Sequence, residues 1–233
     1  MDDEIRTEQL SVRRPVAGAR PMQAFLARPA ADGLHPGVLV IHEVFGLNDN
    51  IRDVTRRFAA EGYVALAVDL FAGTNRAVCL ARVMMGIFAT PLRNGTVSEL
   101  QSALEVLQGR SEVDARRVGV IGFCMGGAYA LQLACVDGSL RAAAVFYGQN
   151  PRPLEAVARA CPIVGSYPER DFTARHGRKL EAALQRFEIP HDIRIYPRAL
   201  HSFFNDRGPA YNPEAAADAW RRTLVFFQDH LAQ

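Results

Sequence analysis

The stretch that most limits the fold is VGVIGFCMGG at positions 118–127, followed by AYALQLAC at 128–135. An apolar run rich in β-branched residues passes without a loop into a glycine-flanked cysteine and then into helix-forming residues. Such a strand-to-helix reversal needs close main-chain approach, and Gly122 and Gly126 remove the side chains that would collide there. The rest of the chain reads in the same rhythm. Short, nearly continuous apolar runs at 38–42, 63–68, 142–147, 163–166 and 193–196 suit strands buried on both faces of a parallel sheet. Residues 22–28 alternate loosely and are placed to pair with 9–13 as an antiparallel edge.

Between these runs the spacing becomes helical. Ile51, Val54, Thr55 and Phe58 share a face, with Gly62 placed to end the helix. Leu100, Ala103, Leu104 and Leu107 repeat the spacing after a Thr96-x-x-Glu99 capping box, and Leu180, Ala183, Leu184 and Phe187 repeat it again. The last helix starts with Asn212 as cap and Pro213 in first position, and turns Trp220, Leu224, Phe227 and Leu231 inward. This β-α alternation predicts a doubly wound, mostly parallel α/β sheet with helices on both faces and right-handed crossovers. Ligands in such sheets bind beyond the carboxyl ends of the strands.

Composition narrows the function. The chain has 233 residues, 49% of them apolar, with a formal net charge of +2, which excludes a disordered or low-complexity chain. No repeat or linker divides it, so residues 1–233 read as one domain. All basic residues except Lys179 are arginines, scattered and matched by acids, so no nucleic-acid surface is expected. The cysteines at 79, 124, 135 and 161 form no C-x-x-C pair and no metal-ligand spacing, so neither a metal site nor a disulfide framework is expected. The polar start and the lack of a membrane-length apolar run predict a soluble protein in the reducing cytoplasm, as a monomer or small homo-oligomer.

The chemistry concentrates at three places. Cys124 stands at a helix N-terminus, where the dipole and free N–H groups favour a thiolate; the plain alternative is a glycine-rich turn with a buried cysteine. An elbow of this kind works with an acid and then a histidine further along the chain. Asp171 and its rival Glu169 follow the 163–166 strand, and His201 follows the last one. His35, His176, His191 and His230 read as surface residues. Third, His42-Glu43-Val44-Phe45-Gly46 closes the 38–42 strand; His42 reads as a packed residue, and the N–H groups of Val44 and Met125 are the candidate oxyanion donors.

HEVFG at 42–46, GFCMGG at 122–127, ERD at 169–171 and ALHSFF at 199–204 together resemble the dienelactone hydrolase family, the carboxymethylenebutenolidases. The likeness runs from about Val38 to the last helix. It implies an α/β-hydrolase fold and a hydrolase of small lactones or carboxylic esters that needs no cofactor. In that reading Cys124 is the nucleophile, His201 the general base, Asp171 its orienting acid, and Glu43 the carboxylate that contacts the resting thiol. An acyl-thioester would form on Cys124 and be released by water. Glu43 would hold the thiol neutral at rest by like-charge repulsion until an anionic substrate displaced it.

The family's substrates carry a carboxylate, so an anion anchor is expected. The segment 71–95 is too long for a bare loop, and its apolar part at 77–88 reads as a small helical cap. Arg76, Arg82 and Arg207 are the candidate clamps, with Phe45 and Tyr147 as further substrate contacts. One departure stands out: the family carries an arginine shortly after the H-S-F segment, where this chain has Phe204 and Asn205. Other readings are an esterase or thioesterase for a different small ester, a non-catalytic binding protein on the same scaffold, and a redox-responsive thiol protein with Cys79, Cys135 or Cys161 as resolving partner.

Overall fold

The structure, a computed structural model, describes residues 5–71, 76–88 and 92–231, without the side chains of Arg76, Ala77 and Phe88. Its strands are β1 (Ile5–Val12), β2 (Met22–Pro29), β3 (His35–Ile41), β4 (Val64–Val68), β5 (Val113–Phe123), β6 (Leu140–Phe146), β7 (Ile163–Pro168) and β8 (His191–Tyr196). The helices are α1 (Asp49–Ala60), α2 (Arg76–Phe88), α3 (Gly95–Gln108), α4 (Met125–Val136), α5 (Ala174–Arg186) and α6 (Pro213–Leu231). All the strands join one sheet in the order β1-β2-β4-β3-β5-β6-β7-β8. The β1–β2 and β2–β4 pairs are antiparallel, while β3, β4, β5, β6, β7 and β8 run parallel.

The near-continuous apolar runs follow from burial on both faces. On β3, Val38 and Val40 pack toward α1 and α6 with Ile51, Phe58 and Phe227. Leu39 and Ile41 point the other way, into the larger layer built with Leu100, Leu104, Tyr129 and Leu180 from α3, α4 and α5. Alternation on a pleated strand therefore fills two cores from one sequence run. Each such side chain removed from water contributes roughly 1.5–3 kcal/mol. The α2 helix, the expected cap, packs with Cys79, Val83 and Ile87 on this second layer, and the Tyr129 hydroxyl donates to the Val83 carbonyl at 2.6 Å.

Of the helix ends expected from local chemistry, those at Gly62 and Asn212 form and the one at Thr96 does not. Gly62 lies just past α1 at φ 90°, and Asn212 accepts from the Ala215 N–H at 3.1 Å, as their positions predict. The predicted Thr96-x-x-Glu99 box does not form. Asn94 caps α3 instead, accepting from the N–H groups of Thr96 and Val97 at 3.1 and 3.2 Å. Glu99 is turned away from the helix end because its carboxylate is buried against Arg14 at 2.5 Å and Arg82 at 2.6 Å. Two guanidiniums hold that carboxylate more strongly than a helix N-terminus could.

Candidate active site

At the carboxyl end of β5 the chain turns through Cys124 at φ 55°, ψ −114°, a backbone conformation that a non-glycine residue holds only under constraint. The constraint is visible on both sides. The Cys124 N–H donates to the Phe146 carbonyl of β6 at 3.0 Å. A Cβ on Gly122 would strike the Gly126 carbonyl, and one on Gly126 would strike the Ile41 carbonyl of β3. A Cβ on Gly127 would lie 2.6 Å from the Phe146 carbonyl. The first turn of α4 thus sits directly on the ends of neighbouring strands, which raises Cys124 above the sheet.

The thiol environment opposes ionisation. Burial is the main cause, the Glu43 carboxylate adds to it, the Met125 N–H pulls the other way, and Asp171 adds a smaller push; the Cys124 thiol is pushed up to about 12. The expected helix-terminus activation is therefore outweighed in the free protein. Glu43 is 3% exposed. Its carboxylate accepts from the Ser202 hydroxyl at 2.8 Å, from Asn205 Nδ2 at 3.4 Å and from the Tyr147 hydroxyl. All three are neutral donors. Tyr147 itself, at φ 41°, is fully enclosed, and burial with the adjoining Glu43 carboxylate holds its hydroxyl in the protonated form.

The β8–α6 loop brings His201 over this group. Its Nδ1 lies 2.8 Å from Asp171 Oδ2, and the same oxygen accepts from the Thr173 N–H at 3.2 Å and from the Thr173 hydroxyl. Burial pushes Asp171 up, but the bonds from His201 and Thr173 outweigh it and hold the carboxyl below its usual range. Glu169, the rival acid, points elsewhere and accepts from the Arg198 N–H at 3.0 Å. The His201 ring lies 5.0 Å from the Tyr147 ring and stacks on Phe172 at 6.0 Å with an interplanar angle of 11°. His42 is fully buried, accepting from the Leu70 N–H at 3.0 Å, so it is a packed residue at the end of β3.

From His201 a cleft of about 620 Å³ opens between the loops after β3 and β8, lined by Phe45, Asn48, Ser202, Asn205 and Arg207 with Gly208, Pro209 and Ala210. Among the described side chains, the expected anion clamp is not assembled there. Arg82 lies on α2 with both guanidinium nitrogens on Glu99, at 2.6 and 3.0 Å, so its fork is spent on the α2–α3 ion pair. Arg207 does reach the cleft, but its guanidinium is bound to Asp53 at 2.6 Å, with Asp49 at 3.8 Å. The side chain of Arg76 lies outside the described residues. Phe45 lines the cleft as expected, while Tyr147 lies beneath it against Glu43. Phe172, Thr173 and Ser202 carry no signal in the sequence that marks them as site residues. Ser202 lies within a motif valued for its histidine, and Asn205 stands out in the sequence only as a departure from the family pattern, not as a partner of Glu43.

No described group of His, Cys, Asp and Glu side chains could hold a metal ion, and no described helix is long and apolar enough to cross a membrane. Two relatives, each named "Putative carboxymethylenebutenolidase", span most of the chain. That of Saccharolobus solfataricus is 37% identical, covering 89% of this chain and 93% of the relative. That of Synechocystis sp. is 34% identical, covering 89% and 91%. Among solved structures, a dienelactone hydrolase-like promiscuous phosphotriesterase from metagenomic libraries superposes with a TM-score of 0.85 at 25% identity, covering 97% of this chain and 99% of that one. The model of the dienelactone hydrolase family matches residues 22–231. With an α/β-hydrolase sheet beneath a strained cysteine elbow, the chain belongs to the dienelactone hydrolase family.

Proposed function

We propose that this protein hydrolyses a small lactone or carboxylic ester through Cys124, His201 and Asp171, by way of an acyl-thioester. The observation that carries the reading is the His201–Asp171 bond of 2.8 Å at the same strand ends that hold the Cys124 elbow. Asp171 fixes the ring so that Nδ1 carries a proton and Nε2 is free to accept one. The carboxylate also stabilises the imidazolium that forms, since its own pKa is depressed by that bond.

The steps follow from these groups. His201 takes the thiol proton, and the Cys124 sulfur attacks the carbonyl carbon as its C=O π electrons move onto oxygen. The N–H groups of Met125 and Val44 are the proposed donors to that oxyanion. Collapse re-forms the carbonyl and breaks the ester C–O bond, and the leaving alkoxide or enolate receives the proton from His201. His201 then deprotonates water, which attacks the thioester and releases the acid and the thiol. A carboxylate beside a buried thiol keeps it protonated between turnovers and so protects it from oxidation. Substrate in the cleft would favour the transfer by excluding water and supplying the electrophile.

The test is intact-mass analysis during turnover of p-nitrophenyl acetate. An acetyl group on Cys124, with turnover lost in Cys124→Ala and His201→Ala, is the expected result. Turnover that survives in Cys124→Ala would refute the mechanism.

A further inference from the structure

From the chemistry around the cleft we infer that the substrate is an uncharged ester or lactone, whose apolar part lies against Phe45, Pro209 and Ala210; this rests on the hydrolase reading above. Besides His201, Ser202 and the ion-paired Arg207, the described lining offers a hydrophobic wall and two neutral amides, Asn48 and Asn205. Phe45 and Phe172 are 53% and 52% exposed, and Phe172 flanks the other side of His201. Large aromatic rings left half in water beside a reacting histidine suit a ligand that covers them.

The charges point the same way. The floor of the cleft, Ser202 and Asn205, is bonded from below to the buried Glu43 carboxylate. A substrate carboxylate anchored there would face that anion through two neutral side chains. The cation at the rim, Arg207, is matched by Asp53 and Asp49. An anion on Arg207 would have to share the guanidinium with Asp53, 2.6 Å from it, and would lie beside that carboxylate, whose repulsion offsets the attraction. Among the described lining side chains, the one permanent charge, Arg207, is thus already matched by carboxylates, and the rest of the wall is apolar or neutral apart from His201.

Binding can be tested without catalysis. On the Cys124→Ala protein, dissociation constants for methyl hexanoate and monomethyl adipate follow from the concentration dependence of Tm. The two esters differ by a terminal methyl group against a carboxylate. We expect methyl hexanoate to bind at least about tenfold more tightly, and Phe45→Ala in the same background to erase most of that advantage. Equal or tighter binding of monomethyl adipate would overturn the inference; loss of that binding in Arg76→Ala would then locate the cation responsible. Failure of the wild-type protein to turn over either ester or to acylate Cys124 would instead strike at the catalytic proposal, leaving the binding preference to be judged on its own.

Discussion

Replacing Glu43 with Gln isolates how the resting thiol is kept unreactive. With the Cys124 thiol at about 12, only about one molecule in ten thousand carries a thiolate at pH 8. Glu43 is the leading charge in that shift, second only to burial. Removing a like charge within ~4–6 Å lowers a pKa by about 1–3, so a fall of about two is expected, and the thiolate fraction rises about 100-fold. A less basic thiolate is also a weaker nucleophile, and with a Brønsted coefficient of about 0.4–0.5 this returns about a factor of ten. The net expectation is alkylation of Cys124 by iodoacetamide about tenfold faster in Glu43→Gln between pH 7 and pH 9, followed by peptide mass spectrometry.

The Gln carbonyl can still accept from Ser202 and Tyr147, so the loop geometry should persist. Cys135 and Cys161 provide an internal control, since each is pushed up to about 12 mainly by burial, with no contribution from Glu43. Their rates should not change. An unchanged or slower rate at Cys124, with those controls steady, would show that burial alone sets its reactivity and that the carboxylate has another purpose.

Other perturbations have equally definite outcomes. Asp171→Asn should lower kcat/KM for p-nitrophenyl acetate by about 10³–10⁴-fold, because the amide no longer enforces the His201 tautomer or stabilises its charged form. The folded Asp171 pKa is depressed, so its stabilisation is present above the unfolded value and lost as pH falls through the folded one; Asp171→Asn should flatten the acid limb of the Tm–pH curve below about pH 4. Glu99→Gln should cost about 3–5 kcal/mol in urea unfolding, because it removes the carboxylate from the buried Arg14–Glu99 pair. Gly126→Ala should abolish the folded state or cost more than about 4 kcal/mol by the same measurement, since the new Cβ meets the Ile41 carbonyl.

The parts of the molecule that could be read from sequence are those in which the signal is local. The elbow glycines, the doubly buried strands and the Asn212-Pro213 helix start each carry their reason within a few residues. The chain order of Cys124, Asp171 and His201 adds a topological reason, because successive parallel strands deliver their ends to one edge. The misreadings concern partners distant in sequence. Thr96 and Glu99 have the spacing of a capping box, but Arg14 and Arg82 claim the carboxylate and Asn94 is left to cap α3. Ser202 and Asn205 meet Glu43 across separations of 159 and 162 residues, and no periodicity encodes that meeting. Arg82 and Arg207 looked available because sequence spacing does not show which acids have already engaged them.

The glycine contacts around the elbow have a consequence for how such a site can change. Gly126 rests on the carbonyl of Ile41 in β3, Gly127 on that of Phe146 in β6, and both follow directly from β5. The sulfur is therefore referenced to three adjacent strand ends through main-chain atoms, which side-chain replacement leaves in place. A slip in pairing between any two of those strands would move the Cys124 sulfur, whereas replacements at Phe45, Pro209 or Ala210 reshape only the cleft wall. The shape of the cleft and the placement of the sulfur are therefore inherited from separate parts of the chain, so the first can drift while the second is held by the fold.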